Sequence, residues 1–354
     1  MEKENFLDRF VFICGFGAPD LYAKIVAWIG ENLNSNIAPL HLNFDSFADQ
    51  ETNFQIVDNQ KIKGKIAVII ESVYAEDSEL ETNLFQLIWS VKYEYEAAGI
   101  IMVMPFMKYR RQDHPEKKKE IHRNRYFIHQ LKSNGVNTLL LCDIHSQQTL
   151  DNCAAENLPV EVVWSDQAFA DQLQPQVEIA KNNGRQFFLY CPDQGSLERN
   201  ITLARLLGVA ILITLKRRLP NGDLEIYRDD ETLKALGAKH GTTILWPETE
   251  LINGATICLS DDEVSTGRTA TKTGRDLIHQ GAREIILKAT HPVCTPGWKE
   301  EIIGSDIFSM ILFGNTLPRG TKKRTGKRVT DVSLHWLIAS KLIGLMASFQ
   351  EKTV

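Results

Sequence analysis

The chain has 354 residues, 43% of them hydrophobic and 24% charged, and 40 lysines and arginines against 45 aspartates and glutamates leave a net charge of −5. That length suits two domains of about 150 residues each, and the composition excludes a disordered chain, a fibrous repeat and a protein that coats nucleic acid. The longest apolar stretches fall far below the ~20 residues of a bilayer span, so no membrane partner is expected.

In chain order, strands are predicted at Phe10–Cys14, Ile66–Ile70, Ile100–Met104, Thr138–Cys142, Phe187–Cys191, Val209–Thr214, Thr256–Leu259, Glu284–Lys288 and Ile307–Phe313. Helices are predicted at Ala18–Leu33, Leu80–Ala97, Glu120–Asn134, Ser165–Asn182, Ser196–Leu207, Arg268–Gln280 and Val332–Ser348. Unbroken Val/Ile/Leu strands alternating with helices predict an α/β fold, with mostly parallel sheet flanked by helices. The rhythm changes near Asn157–Pro159, which places one domain over 1–158, a second over 159–317 and a helical segment, 318–354, packing back on the first. Leu219–Trp246 is the least regular part, either a mobile flap or a surface hairpin. The N-terminus, Met1–Phe10, shows no secretory apolar region. None of the six cysteines forms a CxxC pair; Cys14, Cys142, Cys191 and Cys258, in or beside apolar runs, read as buried free thiols of a reducing compartment, and a cytoplasmic location is expected.

The sharpest motif runs from Ile257 to Thr269: an apolar strand, the paired carboxylates Asp261 and Asp262, the loop Ser265-Thr266-Gly267, then a helix near Thr269. Loop amides and a helix N-terminus hold a phosphate dianion, and the carboxylates accept hydrogen bonds from vicinal ribose hydroxyls. The structural alternative is a strand end followed by an ordinary capped helix.

Other signals are weak singly. Phe47-Ala48-Asp49-Gln50-Glu51 is a polar turn. Arg110, Arg111, Gln112 and Asp113 follow a strand, where the arginines suit a polyphosphate. His145 lies just past a strand, as does Asp193, and Lys216-Arg217-Arg218 puts three cations at another strand end. Lys216 and Arg218, two apart on an extended segment, share a face that Arg217 does not.

Their order and spacing resemble the ribose-phosphate pyrophosphokinase (phosphoribosyl pyrophosphate synthetase) family from about Phe10 to Gly344, with Thr290-His291 and Asn315-Thr316-Leu317-Pro318 completing the pattern. The resemblance implies two phosphoribosyltransferase-like domains, the first on the ATP side and the second carrying the ribose 5-phosphate loop. It implies transfer of the β,γ-diphosphoryl group of ATP to the 1-hydroxyl of ribose 5-phosphate, with Mg2+. Residue by residue, it implies that Phe47, Asp49, Glu51, Arg111 and Gln112 bind ATP. Lys216, Arg218 and His145 would be catalytic, and His145 and Asp193 would lie at the metal. Asp261, Asp262, Ser265, Thr266, Gly267 and Thr269 would hold ribose 5-phosphate. It further implies a homo-oligomer, a dimer or a hexamer of dimers, in which the Phe47 loop serves a neighbouring subunit. Ser265 stands where many members carry Asp, and Arg268 where a small residue is common, so the chain reads as divergent. A non-catalytic regulatory or binding subunit and a phosphoribosyltransferase are the alternatives. The first should have lost Lys216, Arg218 or His145, and the second needs a base-binding hood that the sequence does not show.

Overall fold

Residues 6–49, 51–74, 78–113, 120–192, 194–219, 223–318 and 328–351 are described by the computed structural model. The chain divides into two units, one of Met1–Trp164, Thr316–Pro318 and Leu334–Val354, the other of Ser165–Asn315 and Arg319–Ser333.

The first unit contains β1 (Phe10–Cys14), β2 (Leu42–Ser46), β3 (Thr52–Ile56), β4 (Ile66–Ile70), β5 (Gly99–Met104), β6 (Thr138–Cys142) and β7 (Val160–Val163). Its helices include α1 (Pro19–Asn32), α2 (Ser78–Trp89), α3 (Arg123–Ser133) and α4 (Gln148–Ala155). β1, β4, β5 and, after Thr138, β6 are apolar and buried almost throughout, because a strand without a polar face must be covered on both sides. With β7 they form a parallel sheet in the order β1-β4-β5-β6-β7. A parallel bridge between Ile13 and Leu40 continues the sheet beyond β1. The chain thus leaves β1 on one side and returns as β4 on the other, so the switch point of this sheet lies between them. β2 and β3 form a separate antiparallel hairpin.

The second unit contains β8 (Phe187–Cys191), β9 (Ala210–Ile213), β10 (Leu215–Arg218), β11 (Leu224–Tyr227), β12 (Ile244–Leu245), β13 (Thr256–Val264), β14 (Glu284–Pro292), β15 (Phe308–Gly314) and β16 (Val329–Val332). Its helices are α5 (Asp166–Asn182), α6 (Gln194–Leu197), α7 (Ile201–Leu207), α8 (Asp230–His240), α9 (Thr249–Ile252) and α10 (Arg268–His279) among the described residues. Seven strands form a parallel sheet in the order β12-β9-β8-β13-β14-β15-β16, with its switch point between β8 and β13. The last helix, α11 (His335–Glu351), packs on α1 in the first unit, and Lys341 Nζ lies 2.8 Å from Glu161.

Several elements differ from expectation. The strand expected to stop at Leu259 runs on to Val264, because Asp261 pairs with Ala289 and Glu263 with His291 in the ladder to β14. The expected boundary near 158 falls just before β7, which pairs with β6. The helix expected over Leu80–Ala97 leaves α geometry after Trp89 and widens into a π turn over Ser90–Glu94. Ser196–Leu207 is broken by a tight turn at Glu198–Asn200. The irregular Leu219–Trp246 holds β11, α8 and β12, and the Asp229 side chain caps α8 by accepting from the Glu231 and Thr232 amides.

Candidate active site

In the first unit, Phe47, Asp49 and Glu51 lie at the tip of the β2–β3 hairpin. The tip is preformed: the Phe47 amide donates to the Glu51 carbonyl at 2.9 Å, and the Glu51 amide to Asp49 Oδ1 at 3.1 Å. Phe47 is 57% exposed, so its ring is open to a stacking partner.

Arg111 and Gln112 follow β5 and are exposed; His145 follows the neighbouring β6 and is half-buried. Both loops leave the C-terminal edge of the sheet, where open α/β sheets take ligands. They are tied together through Asp113 by Ser146, Asn152 and Asn124, whose part the sequence did not show. Ser146 Oγ donates to Asp113 Oδ2 at 2.5 Å, and Asn152 Nδ2 reaches both the Asp113 carbonyl and Asn124 Oδ1 at 2.9 Å. Arg110, expected beside Arg111 at a polyphosphate, instead turns inward. It is 5% exposed, donates to the Asp143 carbonyl at 3.2 Å and lies 5.8 Å from the Phe106 ring centre. His145 lines a small cavity with Arg110, Asp143 and Thr149.

In the second unit, the acidic pair sits on β13 beside the switch point. Asp262 is buried, and its Oδ1 lies 3.3 Å from Arg199 Nη2. The Asp262 amide donates to Asp261 Oδ1 at 2.8 Å. Burial, reinforced by the neighbouring Asp262 charge and partly offset by Arg199, pushes Asp261 up to about 7. Asp261 therefore holds a negative charge weakly near neutrality and is ready to accept donors such as hydroxyls.

The loop beyond folds tightly onto its neighbours. The Cys294 amide donates to the Val264 carbonyl at 2.9 Å, the Thr295 amide to the Ser265 carbonyl at 3.2 Å, and Ser265 Oγ lies 3.3 Å from Thr295 Oγ1. Gly267 has φ +84° and precedes α10, and a Cβ on it would come within 2.5 Å of Ile302 Cδ1. Only glycine fits both demands. Thr266 and Thr269 are exposed at the start of α10, where the Arg268 amide donates to Thr266 Oγ1 at 3.4 Å. The second-sheet partner expected to supply Asp193 ends at Cys191; Asp193 itself lies outside the described residues.

Lys216 and Arg218 sit on the β10–β11 hairpin, which follows β9 and so leaves the same sheet edge as the acidic loop. The cationic segment is a regular ribbon rather than an irregular loop. Register sets Lys216 opposite Ile226, Arg218 opposite Leu224 and Arg217 opposite Glu225. Arg217 faces away from Lys216 by strand alternation, bonds Glu225 Oε2 at 2.5 Å and stacks 5.0 Å from the Tyr227 ring centre. Thr290 and His291 are fully buried within β14. Thr290 Oγ1 is 3.0 Å from Ser165 Oγ and 3.3 Å from Lys288 Nζ, a buried ammonium 4.6 Å from the Phe169 ring centre.

Residues 11–135 match the family profile for the N-terminal domain of ribose phosphate pyrophosphokinase. A chloroplastic ribose-phosphate pyrophosphokinase 1 of Oryza sativa subsp. japonica is 24% identical over 313 residues, covering 88% of this chain and 69% of the relative. A ribose-phosphate pyrophosphokinase of Sulfolobus acidocaldarius is 23% identical over 309 residues, covering 86% and 94%. Among solved structures, phosphoribosylpyrophosphate synthetase from Mycobacterium smegmatis superposes with a TM-score of 0.76 at 20% identity, over 96% of this chain and 99% of that one. The fold is accordingly that of two phosphoribosyltransferase-like domains.

Proposed function

We propose that this chain, a divergent member of the ribose-phosphate pyrophosphokinase family, moves the β,γ-diphosphoryl group of ATP to the 1-hydroxyl of ribose 5-phosphate. One observation carries the reading: β13 delivers Asp261 and Asp262 to a glycine loop and the α10 N-terminus at the sheet's switch point, and the Lys216/Arg218 ribbon leaves the same edge.

In this reading the 5-phosphate rests on the amides of Ser265–Gly267 and the hydroxyls of Thr266 and Thr269, while Asp261 and Asp262 accept from ribose hydroxyls. Arg199 holds Asp262 in place. Phe47 stacks on adenine, with Asp49 and Glu51 at its polar edge, and Arg111 and Gln112 meet the nucleotide. The O1 oxygen attacks the β-phosphorus, the bond from that phosphorus to the α,β-bridging oxygen breaks, and AMP departs with that oxygen. The 1-hydroxyl proton is released. The reaction needs positioning and charge neutralisation rather than a covalent intermediate, which Lys216 and Arg218 supply on a ribbon beside the site.

Mg2+ keeps most of its waters and takes few protein ligands. That suits a chain in which no three His, Cys, Asp or Glu side chains cluster as a metal cage among the described residues. Bound to the nucleotide, the ion would neutralise phosphate charge, with His145 and Asp193 beside it. The exposed Phe44 and Phe47 of the hairpin, 53% and 57% exposed, support a homo-oligomer in which the tip serves a neighbouring copy. The thiols, five of the six cysteines being buried, support a cytoplasmic setting. No described helix is long and apolar enough to cross a membrane.

Incubation of the purified protein with ATP, Mg2+ and ribose 5-phosphate tests the proposal. AMP and phosphoribosyl pyrophosphate should appear in equal amounts. ADP in place of AMP would make the protein a simple kinase, and no turnover would make it a binding or regulatory subunit.

A further inference from the structure

The switch point of the first unit's sheet is filled by the protein itself. Glu71, just past β4, is fully buried. Its Oε1 accepts from the Gly17 amide at 2.5 Å and from its neighbour Ser72 at 2.7 Å, and its Oε2 accepts from the Phe16 amide. The carboxylate thus occupies the amide-lined turn after β1, where sheets of this kind hold a ligand's anion. The turn is shaped for it. A Cβ on Gly15 would come within 2.8 Å of Glu71 Cδ, and one on Gly17 would run into Glu71 Oε1 and the Ser72 carbonyl.

What the carboxylate fixes is Phe16. The Phe16 ring centre lies 5.3 Å from that of Phe44 and 5.4 Å from that of Phe54, both nearly edge-on. Phe44 and Phe54 are direct partners across the hairpin, two register steps below the pair Ser46–Thr52 that closes the tip. Phe16 is therefore the wedge under the middle of the hairpin. The root is tied by the Val57 amide to the His41 carbonyl at 2.9 Å, and the tip by Thr52 Oγ1 to Glu79 at 2.8 Å on the surface. Of these supports, only the middle one depends on a buried charge.

We propose that Glu71 is a positioning residue for the β2–β3 hairpin, acting through Phe16 to set where Phe47, Asp49 and Glu51 stand. Its catalytic consequence rests on the reading of that tip as the adenine site; the mechanical link does not. Glu71→Gln keeps the volume but turns one acceptor into a donor facing amides that also donate, so the turn must shift.

Two measurements separate the parts. The first is hydrogen exchange, which reads position without any substrate. Glu71→Gln should speed amide exchange over 42–56 by at least ~10-fold, as for the loss of about 1.4 kcal/mol of local protection, while β5 and β6 exchange as in the unchanged protein. Phe16→Ala should do the same, and Phe16→Leu, which keeps an apolar wedge, should do less. Unchanged exchange in the hairpin, or acceleration spread evenly over the first unit, would overturn the proposal. The second is steady-state kinetics. Glu71→Gln should raise KM for ATP about 10-fold with kcat and KM for ribose 5-phosphate within about 2-fold. Equal effects on both substrates would also overturn it. If the hairpin loosens but no diphosphoryl transfer occurs even in the unchanged protein, the functional reading fails and the mechanical link stands.

Discussion

Gly267→Ala should damage the phosphate loop by an amount that can be divided into two parts. The first is conformational. Gly267 sits at φ +84°, and an alanine held in left-handed backbone costs about 1–2 kcal/mol. The second is steric. The new methyl would fall within 2.5 Å of Ile302 Cδ1, far inside contact distance, and Ile302 is 1% exposed with little room to yield. Such overpacking costs about 1–3 kcal/mol. Together they predict about 2–5 kcal/mol of destabilisation in denaturant unfolding. A double-mutant cycle with Ile302→Ala separates the parts. That variant opens space where the methyl would go, so Gly267→Ala in its background should cost only the conformational share. The coupling energy should be about 1–3 kcal/mol, in the sense that each change softens the other. Calorimetry should show ribose 5-phosphate affinity reduced in Gly267→Ala, because the loop amides move with the backbone, while ATP affinity is preserved. Additive unfolding energies, or unchanged ribose 5-phosphate binding, would refute this account of the loop.

Lys216→Ala and Arg218→Ala should each lower kcat by at least ~100-fold with little change in ATP affinity, as for removal of a preorganised charge-stabilising group. Arg217→Ala should be nearly silent, because its guanidinium is committed to Glu225 and Tyr227; single-turnover kinetics on the three variants decide. Asp261, raised from 3.8 to about 7, is favoured as the neutral acid in the folded chain. Its contribution to stability is full below the unfolded value and lost as pH rises through about 7, so unliganded protein should weaken between pH 4 and 7, and Asp261→Asn should remove that slope in unfolding titrations. Ribose 5-phosphate binding should strengthen over the same rise, beyond the effect of the sugar's own phosphate, as measured by calorimetry at several pH values. Phe47→Ala should raise KM for ATP several-fold and leave KM for ribose 5-phosphate unchanged, with Phe47→Tyr close to the parent, in steady-state assays.

The central strands were legible because their burial leaves a plain mark: IAVII and GIIMVM admit no polar face. The two hairpins left no such mark. LNFDS with TNFQI, and LKRR with LEIY, are narrow ribbons outside the main sheets; the first reads as a polar turn, and the second as a basic strand end before a flap or surface hairpin. The acidic pair and its loop were visible because two adjacent carboxylates before a small-residue turn combine rarely. Their depth was not visible, since the ladder that carries β13 on to Val264 depends on the strand beside it. Glu71 and Arg199 were missed, and Arg110 was expected to face outward, for one reason. A charged residue that turns inward to meet amides, a carbonyl or a carboxylate has the same letter as one on the surface, and its partners lie 33 to 63 positions away or across a turn.

The first unit is closed by the segment furthest from its start. α11 lies on α1, with the whole of the second unit between them along the chain. During synthesis at ~5–20 residues per second, α1 is out of the ribosome for many seconds before α11 exists to cover it. The apolar face of α1, with Ile25 and Ile29 fully buried in the finished fold, stays uncovered on that side through this interval. The second unit has no such wait, because its strands are contiguous up to β16 apart from one three-residue excursion. Chaperone engagement of nascent chains should therefore fall on the N-terminal half, although that half is made first.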